Sequence, residues 1–317
     1  MPTERTMHPR TLTAFFSATL LAGACTFNVR TEAVEVSAES PAPVERLRAD
    51  LRDLGDGISG VDVTLRPGPA RATVRVAALV NSNTPAAEIR DGVRLGWTAE
   101  GTAATRLGVS YVGPWDESVF IDAVAITLPE GRAVELTLGA SSLDGAGVRG
   151  DATVNAGSGS ITLRDALAVD LVAGSGSIDV HAARASRLET SSGSIGAVLT
   201  GHLARANAGS GSIDAVVGSA GALETGSGSI HLELTGATLP EDLTLSAGSG
   251  TVELVLACGT AARLDLAAGS GSVEVHAGAQ VAREGHAWTG ALNGGGARGI
   301  RARTGSGSIR VTERCGG

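Results

Sequence analysis

The sequence predicts an all-β protein, a parallel β-solenoid with two short strands per layer, Gly-Ser-Gly-Ser corners and about nine or ten layers, preceded by a β-rich N-terminal cap region. Three observations predict it. The phrase AGSGSI at Ala156–Ile161 returns, with small changes, at 173–178, 190–195, 208–213, 225–230, 247–252, 268–273 and 304–309, after a degenerate forerunner at 138–143. Aliphatic residues stand at fixed offsets from the end of each copy. Glycine is abundant (45 of 317 residues) while aromatics make up only 3%, so the core must be built of thin aliphatic layers.

The closing aliphatic residues fall at 143, 161, 178, 195, 213, 230, 252, 273 and 309, in steps of 17 to 22 residues until a last step of 36. Seven residues earlier stand Leu136, Val154, Leu171, Leu188, Ala206, Leu223, Leu245, Leu266 and Ala302. Two residues later the column reads Leu163, Val180, Ala197, Ala215, Leu232, Leu254, Val275 and Val311. Alternation over so short a run means strand. Inward positions are odd offsets before the phrase and even offsets after it, so the chain must turn a corner or bulge there. Glycine allows such a bend through positive φ or through close approach of two backbones. The serines stack about 4.8 Å apart, where their hydroxyls can bond corner backbone groups. Insertions collect at the other corner, at 164–168, 233–242 and 276–299.

Taken in order, the chain opens with Arg5 and Arg10 before an apolar run, 11–24, too short for a comfortable membrane span. Leu21-Ala22-Gly23-Ala24-Cys25 resembles a bacterial lipoprotein signal. That resemblance implies a signal peptide over 1–24, cleavage before Cys25 and lipid attachment to it, with Thr26 leaning toward the outer membrane. Residues 25–44 carry Pro41 and Pro43 among small and polar side chains and read as a tether. Residues 45–131 form the N-terminal cap region. Its first stretch, 44–54, suits helix or strand and is taken as strand because alternating runs follow it: Val61-Val63-Leu65, Val74-Val76, Val93-Leu95-Trp97, Leu107-Val109-Tyr111 and Val124-Ile126-Leu128. This region would close the open end of the solenoid, which occupies 132–317.

The stretch Ala123–Leu128 with Pro-Glu-Gly, then Val134–Leu138, Gly145–Gly150, the tandem GSGSI phrases and the late Asn293-Gly294-Gly295-Gly296 followed by 299–311 together resemble the bacterial "putative adhesin" β-solenoid family of unknown function. The resemblance covers residues 45–314 and implies a cell-envelope or secreted solenoid whose last layer is 299–311. It carries no catalytic residues to transfer.

Several chemistries are disfavoured by their residue requirements. Net charge is −8, arginine is the only cationic side chain and no basic run occurs, which argues against nucleic acid. A phosphate-binding loop needs a lysine that the chain lacks, so no nucleotide is expected. Calcium β-rolls need carboxylates from successive layers, but the column after the closing residue reads Asp144, Thr162, Asp179, Gly196, Asp214, His231, Glu253, Glu274, Arg310. Sugar-cleaving chemistry wants clustered acids and aromatic platforms, and beyond Ile121 the only aromatic is Trp288. The histidines share no metal-ligand spacing. No cofactor and no metal is expected.

Two features remain. Cys258 and Cys315 each lie six residues past a closing residue, Val252 and Ile309. With layers in chain order they stand about 10 Å apart, beyond the ~7 Å Cα limit for a bridge. Pairing would need the tail to fold back, so a disulfide and two free thiols both stay open. The insertion 276–299, with Arg283, Glu284, His286 and Trp288, reads either as a candidate binding loop or as a cap over the last layer. The function expected is a non-enzymatic, lipid-anchored cell-envelope protein, on the periplasmic or surface face, whose solenoid is a scaffold for adhesion or for binding an envelope protein or cell-surface ligand. The alternatives are an envelope structural or stress-linked accessory bound to a membrane regulator, and a polysaccharide-acting β-helix enzyme.

Overall fold

The computed structural model describes residues 32–52, 61–78, 85–101, 104–112 and 119–315. Parallel strands stack in two faces. The strand before each Gly-Ser corner lies on one, here the leading face; the strand after it lies on the other, the trailing face. Through the middle of the stack each layer pairs with its sequence neighbours, so that Val154 meets Leu171, which meets Leu188, and Ile161 meets Ile178, which meets Ile195. The second corner of these middle repeats is a register shift inside a continuous strand, as in Ile161–Ala173 and Ile195–Ala208. The inward columns read from the sequence are buried except at Val275, which is half-buried, and Leu163, Leu171, Val180, Leu188, Leu232, Leu245 and Leu254 have no exposed surface.

The Gly-Ser corner works through close approach. A Cβ placed at Gly159, Gly176, Gly193, Gly211, Gly228, Gly250, Gly271 or Gly307 would lie 1.8–2.1 Å from a carbonyl oxygen of the adjoining layer. None of these glycines has positive φ. Glycine is therefore required because backbone passes over backbone, and of the two roles open to it the turn uses only that one. The second serine continues the ladder: the N–H of Ser160, Ser177, Ser194, Ser212 and Ser229 donates to the serine Oγ of the neighbouring layer at 3.1–3.3 Å. Five residues before the closing position the column holds only alanine or threonine from Ala156 onward, after Leu138 in the first copy. Where it is threonine, at 190, 225 and 304, the buried hydroxyl donates to a glycine carbonyl at 2.7–2.8 Å and accepts a glycine N–H at 3.1 Å. Replacing Thr225 by valine strands both groups and should lower stability by about 1–3 kcal/mol in urea unfolding. A change below a few tenths would mean that water reaches this corner.

The order of layers departs from the order of the chain at both ends. Strand Arg46–Leu51 lies between 104–111 and 133–138, and strand Asp62–Pro67 lies between 119–128 and 142–145. At the far end, Gly299–Thr304 lies between 243–247 and 262–268, and Ile309–Arg314 lies between 252–257 and 273–276. The layer expected to be last is thus inserted one place inward. With the interleaved pairs the described residues form eleven layers. The excess over the sequence expectation comes from 46–67 and 104–128, which belong to the stack as well as to the cap region.

Antiparallel strands close the two ends. At the start, 71–78 pairs with 119–128, 32–39 pairs with 71–78, and 93–100 pairs with 104–111. The indole of Trp97 donates to the carbonyl of Ala38 at 3.1 Å and ties these strands together. A short helix, Ala86–Gly92, buries Ile89 beside them. Residues 32–39, read in the sequence as tether, are therefore sheet, leaving only 26–31 between Cys25 and the folded body. Cys25 and the leader lie outside the described residues. At the other end, a hairpin of Ala279–Glu284 and Ala287–Leu292 lies antiparallel on 262–268.

Candidate functional site

The four residues of the candidate loop sit on that hairpin. Arg283 is opposite Trp288 and Glu284 is opposite Ala287, so the backbone brings all four around one tight turn. Trp288 lies over Leu266 in the pairing and packs, half-buried, against the core. The His286 carbonyl accepts the N–H of Ala268 at 3.1 Å, and its Nδ1 lies 2.8 Å from the carbonyl oxygen of Gly271. Of the two readings left open, the pairing gives this insertion the position of a cap over the leading face. What it still offers outward is the edge and turn of the hairpin.

Charge is organised by the interleaving. In chain order the trailing-face column sets Glu253 beside Glu274 with Arg310 at the end. In space Arg310 stands between them, because 309–314 lies between 252–257 and 273–276. Its guanidinium is 3.2 Å from Glu274, and His231 approaches Glu253 at 3.2 Å one layer further down. On the leading face Arg303 and Arg301 approach Asp265 at 2.6 and 3.3 Å. Arg314 pairs with the mostly buried Glu233. The N-terminal inserted layer repeats the scheme: Arg48 lies between Glu135 (2.9 Å) and Glu100 (3.6 Å), and Arg66 pairs with Asp144 at 2.6 Å. Both inserted layers thus carry arginines that meet acids, on an adjoining strand at Glu135, Asp144, Asp265 and Glu274 and one strand further out at Glu100 and Glu233. Two shallow polar depressions mark the same places, one over Glu253, Glu274 and Arg310 and the other over Arg48, Glu100 and Glu135.

The hydrogen bond from Arg303, with Arg301 adding to it, holds the Asp265 carboxyl below its ordinary value against the opposing effect of partial burial. A depressed folded pKa contributes stability above the unfolded value of 3.8, and that contribution is lost as pH falls through the folded value. Protection against hydrogen exchange at 299–304, taken relative to the intrinsic rate at each pH, should therefore fall below about pH 4. Asp265→Asn should show quickened exchange already at neutral pH, and unchanged exchange there would leave these pairs without a structural role.

The disulfide question resolves through the same interleaving. Cys258 and Cys315 are joined, with Cα atoms 4.7 Å apart. The two-layer gap expected from chain order does not exist, because the layers of Val252 and Ile309 are adjacent. Glu313 sits beside the bond, accepting the N–H of Gly259 and, at 3.0 Å, Nδ2 of Asn293. The ligand atoms of Cys258, Glu313 and Cys315 lie within 4.8 Å of one another. With the sulfurs bonded to each other they supply no thiolate for a metal.

One further group has no signal in spacing along the chain. His202 Nδ1 is 3.0 Å from Ser219 Oγ, and Nε2 is 3.0 Å from Glu241. The order is that of a nucleophile, a base and an orienting acid. Adjacent layers place His202 opposite Ser219, and the inserted loop at 235–242 brings Glu241 over Gly221. The group stands on the outer surface, with the His202 side chain 36% and the Glu241 side chain 50% exposed. Neither depression lies over it. It fastens the loop to the stack.

Comparison with known proteins gives the following. A family profile described as Toastrack DUF4097 matches residues 58–312. No curated protein matches the sequence. Among solved structures, a "putative adhesin" from Parabacteroides distasonis ATCC 8503 is similar at 13% identity and TM-score 0.46, over 89% of this chain and 97% of that one. A "putative lipid binding protein" from the same strain is similar at 16% identity and TM-score 0.44, over 89% and 96%. A "putative adhesin" from Parabacteroides merdae ATCC 43184 is similar at 9% identity and TM-score 0.43, over 89% and 95%.

Proposed function

The chain belongs to the Toastrack DUF4097 family, and from that premise we propose that it is a non-enzymatic binding scaffold of the cell envelope, lipid-anchored through Cys25. The observation that carries this reading is where the sequence invests its constraints. Glycine, serine and threonine columns build a rigid stack, and the charged side chains of the inserted layers pair across layers. Among the described residues no helix is long and apolar enough to cross a membrane. The Leu21–Cys25 motif supports lipid attachment, and the six residues 26–31 extend to at most about 20 Å, short enough to hold the N-terminal end near a bilayer. The contacts would fall on the layer faces and on the outer edge of the 279–292 hairpin, where Arg283, Glu284, His286 and Trp288 gather.

The test is photo-crosslinking in cells from single sites on the trailing face, on the hairpin turn and on the N-terminal strands. One protein or surface glycan captured from a single region would support the scaffold and locate its binding site. Absence of capture from all three would favour a purely structural role. A serine-directed fluorophosphonate probe checks the non-enzymatic half. It should leave Ser219 unlabelled, and labelling abolished by His202→Gln would overturn that half.

A further inference from the structure

The layer 299–314 is the last part of the body in sequence, yet it fills a slot between two layers that precede it. On the slot side, strands 243–247, 252–257, 262–268 and 273–276 find their backbone partners in this one segment. The slot asks for a particular occupant. It takes a double strand with small aliphatic residues inward, supplied here by Ile300, Ala302, Ile309 and Val311, all at most 1% exposed. It also takes arginines outward, to meet Asp265, Glu274 and Glu233. The segment is reached through 293–298, Asn-Gly-Gly-Gly-Ala-Arg, in which Asn293, Gly294 and Gly295 have φ of 49°, 84° and 83°. Such a linker can reopen without side-chain strain, and its six residues span about 20 Å when extended.

We infer that 299–314 is an exchangeable layer, that a second copy of this chain can supply it in trans, and that the Cys258–Cys315 disulfide is the latch keeping it on its own chain. The same segment of a second molecule has the required pattern of inward aliphatic residues and outward arginines. Exchange replaces each intrachain contact by an identical interchain one, which makes swapping an inexpensive route to a dimer. Cys258 and Cys315 are both exposed, so a soluble dithiol can reach the latch. Two electrons and two protons pass from the dithiol, which becomes a disulfide, to the two sulfurs, which become thiols. The bond encloses the 57-residue separation from 258 to 315, so while it is intact the layer cannot leave its chain. This inference is independent of the lipid anchor and of any binding partner.

The test mixes full-length Cys258→Ser with full-length Cys315→Ser and oxidises the pair with glutathione disulfide. Swapped layers place the remaining thiols together. A non-reducing gel should then show a dimer in which peptide mapping finds Cys258 of one chain joined to Cys315 of the other. That link should exceed any 258–258 or 315–315 link formed by either variant alone several-fold. Folded variants, verified by circular dichroism, that give no mixed link, or give homotypic links equally well, overturn the proposal. Should either variant not fold, the natural chain in two tagged sizes is reduced with a dithiol, mixed and reoxidised. A mixed-size dimer in which peptide mapping finds Cys258 of one chain joined to Cys315 of the other supports exchange, and exclusively intrachain 258–315 bonds overturn it.

Discussion

Gly193→Ala is expected to be among the most damaging single substitutions in the middle of the stack, lowering stability by about 3 kcal/mol or more. A Cβ at this position would lie 2.1 Å from the Gly176 carbonyl oxygen, 2.5 Å from its carbon and 2.8 Å from the Ser177 nitrogen. All three atoms are backbone, already committed to the ladder between layers, so relief requires prising two layers apart. Because Gly211 in turn crowds Gly193, the displacement would pass to the next corner as well. The control is Gly196→Ala, three residues away in the same layer. Its Cβ would meet nothing closer than an Asp179 carboxylate oxygen at 3.6 Å, so the change should stay within about 0.5 kcal/mol. Urea unfolding of the two variants beside the natural chain measures the contrast. Equal effects would mean that glycine at the corner is not there for close approach.

Replacing Cys258 and Cys315 together by serine should remove up to about 4 kcal/mol, the loop-closure term for a bridge spanning 57 residues. The loss should be local before it is global. The stack behaves as a sum of neighbour contacts, so the inserted layer and the hairpin beyond it should open first. Hydrogen exchange should quicken over 299–314 and 279–292 while 161–230 keeps its protection. Uniform quickening along the chain would show instead that the stack unfolds as one unit. Protection left over 299–314 in the double variant would measure what the arginine pairs and Glu313 contribute without the bond.

Much of this architecture can be read directly from the residues. The slip of the apolar alternation across GSGS locates the Gly-Ser corners, and the Leu171, Leu188 and Leu223 column is the core. What chain order conceals is the order of the layers. Repeats stacked by sequence put Cys258 and Cys315 out of reach and Glu253 against Glu274. One displacement, moving 299–314 inward, removes both conflicts by bringing the cysteines to a Cα separation of 4.7 Å and Arg310 between the acids. The final 36-residue step and the shared six-residue offset of the cysteines carried that information jointly. The helix at 86–92 has only seven residues and one buried aliphatic side chain, Ile89, too little periodicity to register. Residue type in the 276–299 insertion marks Trp288 as notable without saying that it packs against the core. Ser219, His202 and Glu241 are brought together only by stacking and by the 235–242 loop, so no spacing along the chain announces them.

The interleaving at the two ends also sets where such a molecule can change length. Adding a unit at either terminus would have to displace a layer already wedged between others and break its matched charges. Duplicating or deleting one unit between 161 and 230 leaves both wedges untouched, since the units there present nearly the same glycine and serine surface above and below, Ser191 being the one exception among the corner glycines. The middle is accordingly where the spacing is most uniform, with steps of 17 and 18 residues. Lineages of this protein would be free to grow taller or shorter from within while both extremities stay constant.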